Sequence, residues 1–169
     1  KIRISMVTSD NLAKAGKTLI LKEPFYGLFL IGLNKVFRKD IPTAGVSKHG
    51  IGVQLAVNPE FFDNLNPLHM KGLLKHEVLH ISFGHLVMRD KFPNHKLFNI
   101  AADLEINQYI DEEYLPEGGI TMDMFKDINL DKRAGTTYYY EKLDEADKNG
   151  QCQTLQSLLS QMDGDSQYD

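Results

Sequence analysis

The chain has 169 residues, of which 42% are hydrophobic and 25% are charged, as is ordinary for a soluble globular protein with one core. The formal net charge of −4 argues against a nucleic-acid surface, which needs clustered lysines and arginines. The single cysteine, Cys152, excludes a disulfide framework and fits a reducing cytosol.

The start of the chain gives no sign of a targeting segment. Position 1 is Lys rather than Met, so we expect the sequence to be trimmed there, and nothing in it resembles a signal peptide. The most apolar run, residues 25–36, is too short and too interrupted to span a bilayer. We therefore expect a cytoplasmic protein without a membrane or nucleic-acid partner.

Two helices and a hairpin are predicted in the first part of the chain. Apolar periodicity predicts helices over residues 5–21 and 24–38, the second opened by Pro24. The β-favouring runs at residues 43–47 and 51–57 then predict a hairpin. An exposed edge strand of this kind can pair with an extended peptide through main-chain hydrogen bonds.

The central helix carries the most informative motif. A short helical turn is expected from Asn58 through Asn64, after which Asn66 caps a long apolar-periodic segment that Pro67 opens. Within this segment, residues 76–80 read H-E-V-L-H, which is the pattern H-E-x-x-H.

This spacing points to a metal site because residues four apart lie on one face of a helix. His76 and His80 can therefore direct two imidazoles at one metal ion, and zinc suits such ligands. Glu77 lies beside that face and is placed to act as general base on a metal-activated water. We expect one Zn²⁺ per chain and a third protein ligand from elsewhere.

A second polar stripe supplies candidates for that third ligand. In the helix predicted from His95 to Glu113, the side chains of Asn99, Asp103 and Asn107 are spaced four apart. The neighbouring alanines allow a close helix approach, which a short Asp side chain needs in order to reach a metal. We therefore favour Asp103 as the third ligand, with Asn99 and Asn107 hydrogen-bonding to ligands to orient them.

Two other residues remain alternatives for the third ligand. His85 would lie about 140° from His80 on an unbroken helix, so it could coordinate only if that helix stops at Gly84. Glu105 is the other alternative. The remaining three histidines are expected to be surface residues; they are His49, His69 and His95.

The end of the chain is predicted to be less ordered. A last helix is expected from Thr136 or Thr137, and the polar residues from Lys148 onward resemble a linker or the start of a missing domain. The expected organisation is a catalytic domain over residues 1–147 and a polar tail over 148–169. The expected fold class is α+β, mainly helical, with a small β-hairpin or sheet beside the H-E-x-x-H helix.

Together the two motifs resemble a family of predicted metallopeptidases that are associated with von Willebrand A-like domains in bacteria and phages. The family joins H-E-x-x-H-x-x-x-x-H to a downstream N-x-A-x-D-x-x-x-N helix, matched here by residues 76–85 and 99–107. The resemblance covers residues 43–143 and implies a zincin-type catalytic domain. It also raises a von Willebrand A-like domain or an AAA ATPase as a possible partner.

The motifs favour a zinc peptidase that acts on a protein or peptide substrate, with Glu77 as base and proton donor to the leaving amine. A group that polarises the oxyanion is also expected, and Tyr109, Tyr138 and His95 are candidates. The main alternative is a catalytically silent module that binds metal or docks a partner. A DNA-associated protease is disfavoured by the acidic balance.

Overall fold

The computed structural model describes residues 2–162, with side chains from Met6 onward. It confirms the α+β class: within these residues, eight α-helices accompany a three-stranded sheet. The chain divides into two compact units. The first runs to Leu86 and includes Glu112–Pro116, and the second contains Val87–Asp111 and the residues from Glu117. No helix among residues 2–162 has the length and apolar character needed to cross a bilayer.

The first unit begins with two helices and a strand. Helix α1 spans Ile2–Lys22, α2 spans Pro24–Ile31 and β1 spans Asn34–Phe37. The prediction of one helix over residues 24–38 was therefore wrong in its second half. The apolar spacing there fits a helix locally, but parallel pairing with a neighbouring strand supplies the backbone hydrogen bonds instead.

The predicted hairpin is confirmed. Strands β2 (Ala44–His49) and β3 (Gly52–Val57) pair antiparallel, and Gly50 adopts a positive φ of 58° in the turn between them. The strand order is β1-β3-β2, with β1 parallel to β3. Strand β2 is thus one edge of the sheet, and it packs against the helix that carries the H-E-x-x-H motif.

Two capped helices follow the sheet, as predicted. Helix α3 (Pro59–Asp63) begins at Asn58, whose side chain accepts hydrogen bonds from two backbone amides. Helix α4 (Pro67–Ser82) begins at Asn66, whose side chain accepts a hydrogen bond from the His69 amide. Helices α1, α2 and α4 and the sheet share one hydrophobic core, which includes Leu19, Leu55, Phe62, Leu74 and Val78.

Helix α4 is shorter than the apolar segment that predicted it. It ends at Ser82, the next helix α5 spans only His85–Met88, and Gly84 between them has a positive φ of 73°. A glycine in this conformation is the usual stop signal for a helix, since a Cβ there would be strained. The apolar spacing continues past Gly84, but the helix does not.

The second unit is built around two long helices. Helix α6 (His95–Asn107) packs against α7 (Thr136–Lys148), and their buried residues form a second core. Helix α6 ends at Asn107, short of the predicted end at Glu113, and residues Glu112–Tyr114 form a separate 3₁₀ helix.

The region predicted to be a polar tail contains a helix. Helix α8 spans Gln153–Gln161, and its Leu155 is fully buried beside Cys152 in the second core. The sequence did not predict this helix, because Gln and Ser dominate its exposed face. Residues 163–169, the rest of the expected tail, lie outside the described residues, and the domain boundary expected at residue 147 stays a prediction.

One glycine in α4 marks a close approach between two backbone segments of the first unit. A Cβ built on Gly72 would lie 1.7 Å from the carbonyl oxygen of Tyr114, whereas one built on Gly16 in α1 would meet no atom within 4 Å. Only glycine therefore allows residues 112–116 to lie against α4 in this position.

We expect Gly72→Ala to lower the free energy of unfolding by about 3 kcal/mol, because the Tyr114 backbone must move away from α4. The matched control is Gly16→Ala, which should raise it by about 0.5–1 kcal/mol, as is usual for an open helical site. Urea denaturation of both variants measures these values. Equal stability of the two proteins would contradict the close approach.

Candidate metal centre

Helix α4 holds the three residues of the motif within the first unit. His80 and Glu77 are buried, with 5% and 2% of their surface exposed, whereas His76 is half-buried. The Nε2 atoms of His76 and His80 lie 3.0 Å apart, and the two rings meet edge to face. The four-residue spacing thus brings two imidazole nitrogens to one point, as the sequence predicted.

This pair fits the ligands of a zinc ion. Two imidazoles bound to zinc at about 2.0–2.1 Å in a tetrahedral arrangement place their nitrogens about 3.3 Å apart. The observed 3.0 Å differs from this separation by only a few tenths of an ångström. Small rotations of the two rings are enough to admit the ion between them.

His85 lies on the other side of the His80 ring. Its Nδ1 is 2.9 Å from Nδ1 of His80, and its side chain is only 3% exposed. The end of α4 at Ser82 and the positive φ of Gly84 allow this contact, since an unbroken helix would turn His85 away from His80. His85 therefore contacts the nitrogen of His80 that points away from His76.

A buried lysine fixes the segment of α4 directly before the motif. Lys75 is 4% exposed, and its Nζ donates to Oε1 of Glu23 at 2.7 Å. The same ammonium lies over the rings of Tyr26 and Tyr114, at 4.9 and 5.1 Å from their centroids. The sequence did not predict this cluster, because its members are far apart in the chain and follow no spacing rule.

Helix α6 carries the predicted polar stripe within the second unit. Asn99 and Asn107 are buried, and Asp103 between them is half-buried. The side-chain amide nitrogen of Asn107 donates to the backbone oxygen of Ile120 at 2.8 Å. The stripe therefore faces into the protein at both ends.

Glu105, the other acidic candidate on α6, has partners within its own unit. One carboxylate oxygen accepts from the amide of Gly135 at 3.0 Å, and the other accepts from the Tyr109 hydroxyl at 3.3 Å. Gly135 precedes the first residue of α7, so the carboxylate lies at the positive end of that helix.

The residues proposed to polarise an oxyanion lie in the second unit. Desolvation raises the pKa of the Tyr109 phenol, as do the charge and the hydrogen bond of Glu105, while Arg133 acts in the opposite direction. The Tyr138 hydroxyl accepts from the Asp131 amide at 3.1 Å. His95 is exposed at the start of α6.

The other two histidines lie in the first unit. His49 is exposed at the end of β2, and His69 is half-buried beside the Asn66 cap.

Comparison with known proteins supports a metallopeptidase. The model of a family described as a putative metallopeptidase domain matches residues 7–166. An uncharacterized protein of Thermotoga maritima is 34% identical over 122 residues, which are 70% of this chain and 30% of the relative. The chain thus spans about 30% of the length of this relative. No solved structure matches the chain.

Proposed function

Because the chain belongs to the family of putative metallopeptidase domains, we propose that it hydrolyses peptide bonds with one zinc ion and Glu77 as general base. The family description implies a metal ion and a protein or peptide substrate, and it favours an enzyme over the alternative of a partner-docking module. A von Willebrand A-like or AAA ATPase partner, a cytoplasmic location and a bacterial or phage origin stay predictions.

The observation that carries the proposal is the geometry of the two histidines of the motif. Their Nε2 atoms converge to 3.0 Å on one face of α4, and Glu77 lies on the same helical turn. A site that only stabilised the fold would need the two imidazoles but not the glutamate. The conjunction of both favours catalysis over a structural metal.

We propose Asp103 as the third ligand that completes the site of His76 and His80, as the polar stripe on its helix predicts. The donor set of two imidazoles and one carboxylate is typical of catalytic zinc. Three contacts support Asp103 over its alternatives: His85 faces Nδ1 of His80, and the two carboxylate oxygens of Glu105 each accept a hydrogen bond in the second unit. Asn99 and Asn107 would orient the ligands.

When bound, the zinc ion lowers the pKa of water and polarises the carbonyl of the scissile bond. Glu77 accepts the proton of the attacking water and passes it to the amine that leaves. Its buried position keeps bulk water from competing for that proton. Tyr109, Tyr138 and His95 remain the candidates for a hydrogen-bond donor to the oxyanion.

We propose that the substrate binds as an extended strand along β2. This strand is an edge of the sheet and packs against α4, so a peptide paired with it would run beside the motif helix. Main-chain hydrogen bonds would then supply most of the affinity, and they demand little of the substrate sequence.

The proposed site can be tested by the metal content of the protein. Protein purified without chelators or a histidine tag should contain about one zinc per chain, and the double variant His76→Ala/His80→Ala should contain none. Elemental analysis by mass spectrometry gives both values, and His49→Ala/His69→Ala is the matched control that should keep its zinc. Wild-type protein without any transition metal would contradict the proposed site.

Glu77 can be separated from metal binding. Glu77→Gln should retain zinc and fold but lose peptide hydrolysis by on the order of 10²-fold or more, because the amide cannot accept the proton. Turnover of an unstructured protein, such as casein, measures this loss, and Glu60→Gln on the surface of α3 is the control. Unchanged turnover in Glu77→Gln would exclude Glu77 as the base.

The third ligand is tested by zinc affinity. Asp103→Ala should weaken zinc binding by more than the roughly 10–100-fold that the loss of an outer hydrogen-bond partner costs. Competition with a chromophoric chelator measures the affinity, with the exposed Asp123→Ala as control. Wild-type affinity in Asp103→Ala together with zinc loss in Glu105→Ala would replace Asp103 by Glu105.

A further inference from the structure

We propose that His85 is a positioning residue: it accepts a hydrogen bond from Nδ1 of His80 and thereby holds His80 in the tautomer that can bind metal through Nε2. This inference rests on the proposed metal site but not on peptidase activity. It assigns His85 the role of orienting His80 instead of the role of a ligand.

The two nitrogens of the His80 ring each contact another histidine. Its Nε2 lies 3.0 Å from Nε2 of His76, and its Nδ1 lies 2.9 Å from Nδ1 of His85. A neutral imidazole has one N–H donor and one acceptor nitrogen, so the proton of His80 occupies one of these two contacts. Which contact it occupies decides whether Nε2 can act as a ligand.

Only one arrangement of protons is compatible with metal binding. If Nδ1 of His80 carries the proton, this nitrogen donates to Nδ1 of His85, and Nε2 keeps its lone pair for the ion. If His85 instead donates from its own Nδ1, the proton of His80 moves to Nε2, between His80 and His76. His85 must therefore carry its proton on Nε2 and accept through Nδ1.

The contact between His80 and His85 depends on the end of helix α4. Five residues along an unbroken helix would turn His85 about 140° away from His80. Helix α4 ends before Gly84, whose positive φ turns the chain back so that His85 reaches His80. Phe83 stacks on the His85 ring, with the ring centroids 6.0 Å apart. The ring of His85 is thus held by Phe83 as well as by its contact with His80.

The chemistry of the acceptor distinguishes this arrangement from the usual one. A histidine that binds metal generally donates its other N–H to a carboxylate, a carbonyl or water. An imidazole acceptor orients the ring in the same way but adds no negative charge near the ion. His80 is thereby oriented without making the site more anionic.

The test compares two replacements of His85 in the whole chain. His85→Asn keeps an acceptor, since its side-chain oxygen can lie close to the position of Nδ1, whereas His85→Leu removes the acceptor but fills a similar volume. Zinc affinity, measured by chelator competition, should fall by roughly 10–100-fold in His85→Leu and by only a few-fold in His85→Asn. His69→Leu is the control and should bind as the wild type does.

A readout that needs no metal covers the case in which a variant fails to fold. Long-range ¹H–¹⁵N NMR of the metal-free wild type should show His80 protonated at Nδ1 and His85 at Nε2. The opposite pair of tautomers would overturn the role of His85. Wild-type zinc affinity in folded His85→Leu would overturn it while leaving the metal site intact. A wild type that binds no zinc would overturn both proposals.

Discussion

The candidate site depends on one constraint, which is that His76 and His80 direct their Nε2 atoms to the same point, 3.0 Å apart. Helix geometry alone brings the two rings to one face of α4. His80 and Glu77 are also nearly excluded from water. Polar groups that are buried in this way need hydrogen-bond or metal partners. The proposed metal ion would be a shared partner for the Nε2 atoms of His76 and His80.

The position of α4 is fixed by contacts along its whole length. Asn66 caps its start, Gly72 lies against the backbone at Tyr114, and Lys75 joins it to Glu23. The turn at Gly84 closes its end and brings His85 to His80. The motif thus occupies a helix that is anchored at both ends and in its middle, as precise ligand geometry requires.

The elements that the sequence predicted correctly are those with a local cause. The caps at Asn58 and Asn66, the turn at Gly50 and the pairing of His76 with His80 each follow from a spacing of a few residues. Strand β1 could not be predicted in this way, because its pairing partner is about 20 residues away in the chain.

The contact between His80 and His85 shows the same limit within the site. The angle of about 140° between His80 and His85 holds only on an unbroken helix, and the end of α4 before Gly84 brings the two rings into contact instead. The Lys75 cluster likewise joins residues 52 positions apart in the sequence, which no spacing rule relates. The family match over residues 7–166 agrees with the metallopeptidase interpretation, which came from the motifs.

X-ray absorption at the zinc edge of the loaded protein tests the central claim most directly, because it reports the atoms bound to the metal. We predict two imidazole nitrogens at about 2.0–2.1 Å and oxygen ligands at about 2.0–2.2 Å, and no zinc-edge signal from His76→Ala/His80→Ala, which should bind no zinc. A wild-type spectrum without imidazole scattering, or with a sulfur ligand from Cys152, would contradict the account.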